Sequence, residues 1–597
     1  MKFRNDICGL RTIAVLPVLF FHAGVPWSTG GFLGVDVFFV ISGFLITSMI
    51  VNDVEKGSFT FFSFYDRRIR RILPAFLMVL IVTSILSFYF MVPYDLKNYG
   101  QSLFASIFSA NNILLYFTSG YWSLAADFKP LYHTWSLAVE EQYYFVIPIL
   151  VVGYHCIFKS TKKLELILAL LIILGFISSL LAKDREFNFL MVFTRAWELL
   201  FGSLISLVIK KSPFKPNQSL SCLGLLFIVF SYYKPYVFST NQAVVNILPV
   251  LGASLIIMFS SANNTLVGKL LSLRCMVFLG AISYSVYLWH QPLLAFLRLA
   301  SDSKPNYEIE LVVSLFSIPL AYVTWLLIEQ PFRNPNLIRN KVFYSLVVSL
   351  VFLGATLGLT MHKTYGFESF SQKYSYGGDP QSYVDSPRRY INSSFEKNGY
   401  KKVLVMGNSF SRDLINMMNE NNFINSLDLV YFEGSCKLGK QEKLENLIAE
   451  SEVIIWAQDW GQRGFNSNKI DIINSCISNM REQTKAEIFV LGSKNFGWNN
   501  NFVKTIKFSE AIIRRVKPLD SVVRFNNLAR ESVQAHYIDT LSLVTVEDLV
   551  PIFTDRGKFI TYDTNHLTKD GARYLGEKIF TQTKLAFLKV SNSSHTM

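Results

Sequence analysis

Runs of roughly 17–22 mostly apolar residues, each able to cross about 30 Å of hydrocarbon as helix, recur along this chain and stop near residue 361. No other feature limits the fold so strongly. Backbone in lipid must satisfy its own N–H and C=O groups, so the first part must be a helical bundle. The runs fall near 8–24, 33–52, 72–92, 136–157, 164–182, 190–209, 219–237, 245–261, 276–299, 310–328 and 342–361, which makes about eleven expected spans. The apolar stretch 103–117 is shorter, precedes polar and aromatic 118–133, and reads as re-entrant or interfacial. The first span keeps Arg11 and His22 and runs into a Gly-rich turn, so it reads as a retained span and not a cleaved signal.

Charge sets the expected topology. The net charge of +14 raises nucleic acid as a partner, but the basic residues sit in short loops between spans, so that partner is rejected. With the N-terminus inside, Lys and Arg favour the inner loops by about three to one. An odd number of spans then puts residues 362–597 outside, in the periplasm of a bacterial inner membrane.

From residue 401 short β runs alternate with helical stretches: 402–406, 427–432, 453–456, 487–491 and 537–539. That alternation predicts a soluble α/β domain with a parallel sheet. The polar segment 362–400 reads as a linker. Cys436 and Cys476 are the two cysteines of this part, and a disulfide between them is possible in an oxidising compartment.

Ionisable residues inside spans are costly, and function is their default reading. His22 closes span 1, Asp36 opens span 2, and His133, Glu140 and Glu141 open span 4. All map to the outer half, where a carboxylate could hold His22 as a general base towards a hydroxyl. A histidine simply satisfied by a carbonyl is the bland alternative. Arg67-Arg68-Ile69-Arg70-Arg71 is either a plain positive-inside cluster or a phosphate clamp. Arg195 and Glu198 lie one turn apart and either pair or line a cavity. The run Ile282 to His290 is aromatic enough to be interfacial packing. In the second part Gly407-Asn408-Ser409 follows a strand and opens a helix, which exposes a hydroxyl at a helix N-terminus. Asp563 and His566, three apart before the final helix, can present a base and its orienting carboxylate to that serine.

Arg4 to Arg11, with Asp6 inside it, then His22, 30–47, Arg67–Pro74, His133–Tyr143, Arg195–Gly202, Ser283–Pro292 and Glu329–Arg333 together resemble the acyltransferase 3 family over about 4–335. The resemblance implies O-acyl transfer, usually of acetyl, from a cytoplasmic donor such as acetyl-CoA to an extracytoplasmic sugar, with no metal. His22 matches the family's catalytic histidine, and Arg68 with Arg71 its Arg-x-x-Arg motif. Cys8 stands where the family usually has Asp. Residues 401–588 resemble the SGNH hydrolases, a flavodoxin-like α/β fold known to be fused to such membrane domains, with 336–400 as the last span and linker. That likeness implies Ser409 as nucleophile, His566 as base, Asp563 as its partner, and an oxyanion hole from the N–H groups of Ser409 and Gly434. Asn408 replaces the usual Asp before the serine, and Gln458 stands near the place of an expected Asn. The expected protein is therefore a membrane O-acetyltransferase acting on a surface glycan such as lipopolysaccharide O-antigen. A transporter or flippase of acylated glycan with a periplasmic esterase ranks second, and an esterase merely anchored by the spans ranks last.

Overall fold

The computed structural model describes residues 4–118, 126–159, 161, 163–237, 239–370, 372–376, 380–392, 394–397, 399–434, 442–461 and 468–590. The chain divides into two compact units. The first comprises Met1–Tyr89, Asp95–Arg298 and Pro305–Gly366, and the second Phe90–Tyr94, Leu299–Lys304 and Phe367–Met597.

The first unit is helical, and each expected span lies in a helix. Eight helical stretches among the described residues are long and apolar enough to cross a bilayer: Gly31–Glu55, Phe61–Phe90, Thr134–Phe158, Leu164–Leu181, Arg185–Lys211, Gln242–Phe259, Tyr307–Arg333 and Asn340–Lys363. The other three expected spans are the helices Asn5–His22, Gln218–Tyr233 and Arg274–Ala300, outside that set of eight. Ionisable residues interrupt the first and last of these, and the middle one has only 16 residues. The stretch 103–117 falls in two short helices, Pro93–Ile107 and Asn111–Thr118, separated by Ser109 at φ 51°.

Helix Leu164–Leu181 leaves Leu166, Leu170, Ile173, Leu174, Ile177 and Leu181 exposed. Such a face suits lipid and would be a liability in water. Inside the bundle, small residues let backbones touch, because lipid gives apolar side chains no preference for one another. A Cβ on Gly43 would fall 1.8 Å from Leu199 O, and one on Gly202 would fall 2.1 Å from Val40 O. Those reciprocal contacts join helices Gly34–Glu55 and Val192–Lys211. Cys8 is buried and its Sγ lies 3.3 Å from Val277 O, a packing role, whereas Cys156, Cys222 and Cys275 are exposed.

The second unit holds a five-stranded parallel sheet. Its strands are β1 (Lys401–Gly407), β2 (Leu427–Glu433), β3 (Val453–Ala457), β4 (Glu487–Leu491) and a last strand, His536–Ile538. The order across the sheet is β2-β1-β3-β4 and then the last strand, all parallel. Leu404, Met406, Ile454, Trp456, Ile488 and Val490 bury one face against helices Glu442–Glu450, Asn468–Gln483 and Asp520–Ser532. Val403 and Val405 are buried on the other face. Helices Ser409–Glu420 and Lys569–Gln582 pack together, and Phe423 beside them meets Phe580 at 4.4 Å. Burial on both faces explains why these strands read as apolar runs and not as alternating ones. This order is the doubly wound one, whose ligand crevice opens where the order reverses, at the carboxyl end of β1 between β2 and β3.

Candidate active site

The carboxyl end of β1 carries the nucleophile candidate. Gly407 adopts φ 133°, and a Cβ there would fall 2.0 Å from Ala457 O on β3, so only glycine fits. The chain then enters helix Ser409–Glu420. Asn408 caps it, its Oδ1 accepting from the Phe410 N–H at 3.1 Å, which gives that departure from the usual Asp a structural role. The Ser411 hydroxyl lies 2.6 Å from Met406 O and 2.7 Å from Ala457 O, pinning the first helical turn to two strands.

Ser409 and His566 are both buried. His566 Nε2 lies 3.0 Å from Ser409 Oγ, and its Nδ1 lies 2.7 Å from Asp563 Oδ2. The other Asp563 oxygen accepts the backbone N–H groups of Asn565 and His566 at 3.1 and 2.8 Å. Burial pushes the Asp563 carboxyl up, but the charge of His566 and these hydrogen bonds outweigh it and leave the group below the ordinary carboxylate range. An ionised Asp563 fixes the proton on Nδ1 and leaves Nε2 to accept the Ser409 proton. The turn is held from behind. Thr564 sits at φ 74°, a strained value for a β-branched residue, and its carbonyl accepts the Phe496 N–H at 2.7 Å. Asn495 Nδ2 donates to Asn565 Oδ1 at 3.0 Å. Sequence reading missed this support, and it missed the buried pair Lys494–Asp413 at 2.7 Å under the same helix. Lys494 also lies 3.7 Å over the Phe410 ring.

The oxyanion expectation is corrected. Gly434 donates its N–H to Gly407 O at 3.0 Å, so that hydrogen is committed to the strand ends. Ser409 remains, because the first N–H groups of a helix have no partner inside it. Gln458 Oε1 is buried and lacks a hydrogen-bond partner among the described residues. Cys476 is packed in the core below the sheet, and Cys436, its expected partner, lies outside the described residues.

In the first unit, His22 ends helix Asn5–His22, and its ring centroid is 5.3 Å from that of His290. Among the described residues none of the expected carboxylates pairs with the His22 ring: Asp36, Asp6 and Glu140 have other partners, and Glu141 lines a separate cavity. Asp36 Oδ1 lies 3.2 Å from Arg195 Nη2, and Arg195 Nη1 lies 3.2 Å from Glu198 Oε1, all three buried. Asn246 donates to Glu198 at 2.8 Å. Asp6 pairs with Arg4 at 2.6 Å and accepts from Ser260. Glu140 accepts from Tyr144 at 3.2 Å. Of the residues expected beside His22, His133 does lie in its neighbourhood, 5.4 Å from His290 by ring centroids.

Glu140 and Glu141 instead line a cavity of about 80 Å³ with Arg11, Arg68 and Arg71. It adjoins a wider one of about 800 Å³, lined by Arg4, Arg11, Arg67, Arg70, Arg71 and Arg333 among others. Arg67 pairs with Asp53 at 2.9 Å, Arg70 with Asp66 at 3.0 Å and Arg333 with Glu329 at 2.7 Å. Arg11, Arg68 and Arg71 form no close ion pair among the described residues, and Glu140 and Glu141 face them across the same cavity. The i, i+3 spacing of Arg68 and Arg71 puts both on one helical face.

The family described as "Acyltransferase domain" (acyltransferase 3) matches residues 4–330. The chain is similar to the peptidoglycan O-acetyltransferase OatA of Listeria monocytogenes, at 31% identity over 362 residues, 57% of this chain and 57% of that protein. It is also similar to YrhL of Bacillus subtilis, at 29% identity over 362 residues, 56% of this chain and 55% of that one. The chain thus spans little more than half the length of these curated relatives. Among solved structures it is similar to the periplasmic domain of a lipopolysaccharide acetyltransferase from Salmonella ser. Paratyphi A. That likeness has a TM-score of 0.26 and 16% identity and covers 36% of this chain and 95% of that one.

Proposed function

The chain belongs to the acyltransferase 3 family, and from that premise we propose that it is a bacterial inner-membrane O-acetyltransferase that modifies an envelope glycan. The donor is acetyl-CoA, taken from the cytoplasm. Its phosphates meet Arg11, Arg68 and Arg71, three guanidinium groups that outnumber the two carboxylates, Glu140 and Glu141, lining the same cavity. Planar guanidinium forks hold phosphate oxygens in pairs, which lysine cannot do. His22 acts as general base. The acceptor oxygen adds to the acetyl carbonyl, its proton passes to His22, the C–S bond breaks, and the departing thiolate recovers that proton.

The observation that carries the reading is the assembled Ser409–His566–Asp563 relay in a chain whose other unit is an acyltransferase. In the periplasmic unit, Ser409 Oγ adds to the acetyl carbonyl of the ester made at His22; its proton passes to His566 Nε2 and on to the departing alcohol oxygen as that C–O bond breaks, which leaves the acetyl group on Ser409. A glycan hydroxyl then adds to that ester, its proton passes to His566, and His566 returns it to Ser409 Oγ as the Ser409 C–O bond breaks. Such an acyl-enzyme divides one long transfer into two short ones. Peptidoglycan, named in the relative OatA, and lipopolysaccharide O-antigen are the acceptors to compare.

Mass spectrometry of surface glycans from strains with and without the gene tests this. The expected result is a 42 Da increment per modified sugar that disappears on deletion, estimated as about one acetyl in place of one hydrogen. Glycans of identical mass in the two strains would overturn the proposal. Full acetylation in a His22→Ala strain would remove His22 from the mechanism.

A further inference from the structure

Three imidazole rings meet inside the first unit. His290, on helix Arg274–Ala300, is fully buried. Its ring centroid lies 5.3 Å from that of His22 and 5.4 Å from that of His133. His290 Nδ1 lies 2.6 Å from the Tyr287 carbonyl oxygen, one turn back. A carbonyl only accepts, so Nδ1 carries the hydrogen, and Nε2 of the neutral ring is a lone pair. That Nε2 is buried with no hydrogen-bond partner among the described residues. The ring nitrogens of His133 make no hydrogen bond of normal geometry among the described residues, although the backbone of Pro130 and Leu288 lies beside them.

The surroundings do not relieve this. The Tyr287 hydroxyl is already shared with Ser136 at 2.6 Å and lies 3.0 Å from the His133 carbonyl oxygen. Of the carboxylates first expected near His22, Asp36 pairs with Arg195, Glu140 accepts from Tyr144, and Glu141 lines the narrow cavity. Buried polar atoms without partners are costly, and most of all inside a bundle of spans. Among the described residues, no three His, Cys, Asp or Glu groups converge as a metal site would require. The partner that fits is a ligand carrying several O–H or N–H groups. One such group cannot serve all three rings, since a hydroxyl has a single hydrogen to give.

We propose that His290 and His133 form an acceptor subsite that recognises a polyhydroxylated group, a sugar and not a simple alcohol. One hydroxyl gives its proton to His22, while a neighbouring O–H or N–H of the same sugar donates to His290 Nε2. His133, whose N–H has the backbone carbonyls of Pro130 or Leu288 to donate to, offers its remaining lone pair to a further O–H of that sugar. This rests on the reading of the unit as an acetyltransferase with His22 as base, and it adds the residues that select the acceptor.

The test expresses full-length His290→Phe and His290→Gln in a strain lacking the gene. It measures O-acetyl groups per glycan repeat by mass spectrometry and coenzyme A binding to each purified protein. Phe keeps the bulk without the lone pair, whereas the Gln amide oxygen can accept in place of Nε2. The expected result is at least a tenfold loss of acetylation for Phe, more than one third retained for Gln, and coenzyme A affinity within twofold of wild type for both. Wild-type acetylation by His290→Phe, an equal loss for both variants, or loss of coenzyme A binding would overturn the subsite. Absence of acetylation with the wild-type gene would instead overturn the functional reading beneath it.

Discussion

His566 Nε2 stands 3.0 Å from the hydroxyl of Ser409, although 157 positions separate the two residues. One residue arrives on the turn after β1 and the other on a turn that Asp563, Phe496 and Asn495 hold in place. Ser409→Ala keeps that frame and removes the attacking oxygen. It should lower glycan acetylation by about 10³-fold or more. A serine-directed fluorophosphonate probe should label the wild-type chain and not the variant. Unchanged glycan acetylation in Ser409→Ala would leave the relay outside the reaction.

Asp563→Asn should cost about 10² to 10⁴ in rate with the fold intact, because a neutral amide no longer fixes the His566 tautomer. The same carboxyl carries a pH signature. Its folded-state pKa lies below the ordinary value, so its stabilising contribution is complete above about pH 5 and fades as pH falls through the carboxylate range. Thermal unfolding of the full chain should therefore show a gap between wild type and Asp563→Asn that narrows from about pH 6 to about pH 3. A gap that widens on acidification would contradict the assignment.

Coenzyme A affinity should separate the arginines of one cluster. Arg68→Ala and Arg71→Ala each lose about tenfold or more, and Arg71→Lys does not restore binding. Arg67→Ala, whose partner Asp53 holds it at 2.9 Å in an exposed pair, should stay within about twofold. Calorimetric titration in detergent measures all four variants, and equal losses at Arg67 and Arg68 would refute the distinction.

Arg195→Leu would leave Asp36 and Glu198 buried together without their shared cation. The expected cost is about 3–5 kcal/mol, read as lost expression or a much lower melting temperature in detergent. A variant that melts like wild type would show that the pair does not depend on the guanidinium.

Gly407→Ala places a methyl group 2.0 Å from Ala457 O at a backbone angle that side chains avoid. β1 and β3 would have to separate, and a loss of about 2–4 kcal/mol is expected. Normal melting and normal probe labelling of this variant would mean that the strands yield more easily than their spacing implies.

Much of this was legible in the residues alone. Apolar run length located the long helices, since hydrocarbon thickness is a one-dimensional constraint that the chain must meet locally. The strands fell within a residue or two of the apolar runs at 402–406, 427–432, 453–456 and 487–491. Ser409, Asp563 and His566 were visible because a tight turn before a helix has a local signature. What stayed hidden was pairing at long range. No periodicity says that Asp36 meets Arg195 and not His22, or that the Gly434 N–H is spent on Gly407. His290 was hidden differently: it lies in an aromatic run that reads as interfacial packing until its neighbours His22 and His133 are seen in space. The available signal was an ionisable residue within a span.

Arg11, Leu45 and Arg71 border both the wide cavity and the narrow one. A narrow cavity and a wide one thus share a boundary that carries two guanidinium groups. Under the proposed function, a donor's anionic handle stays in the wide cavity and only its small reactive tip fits the narrow one.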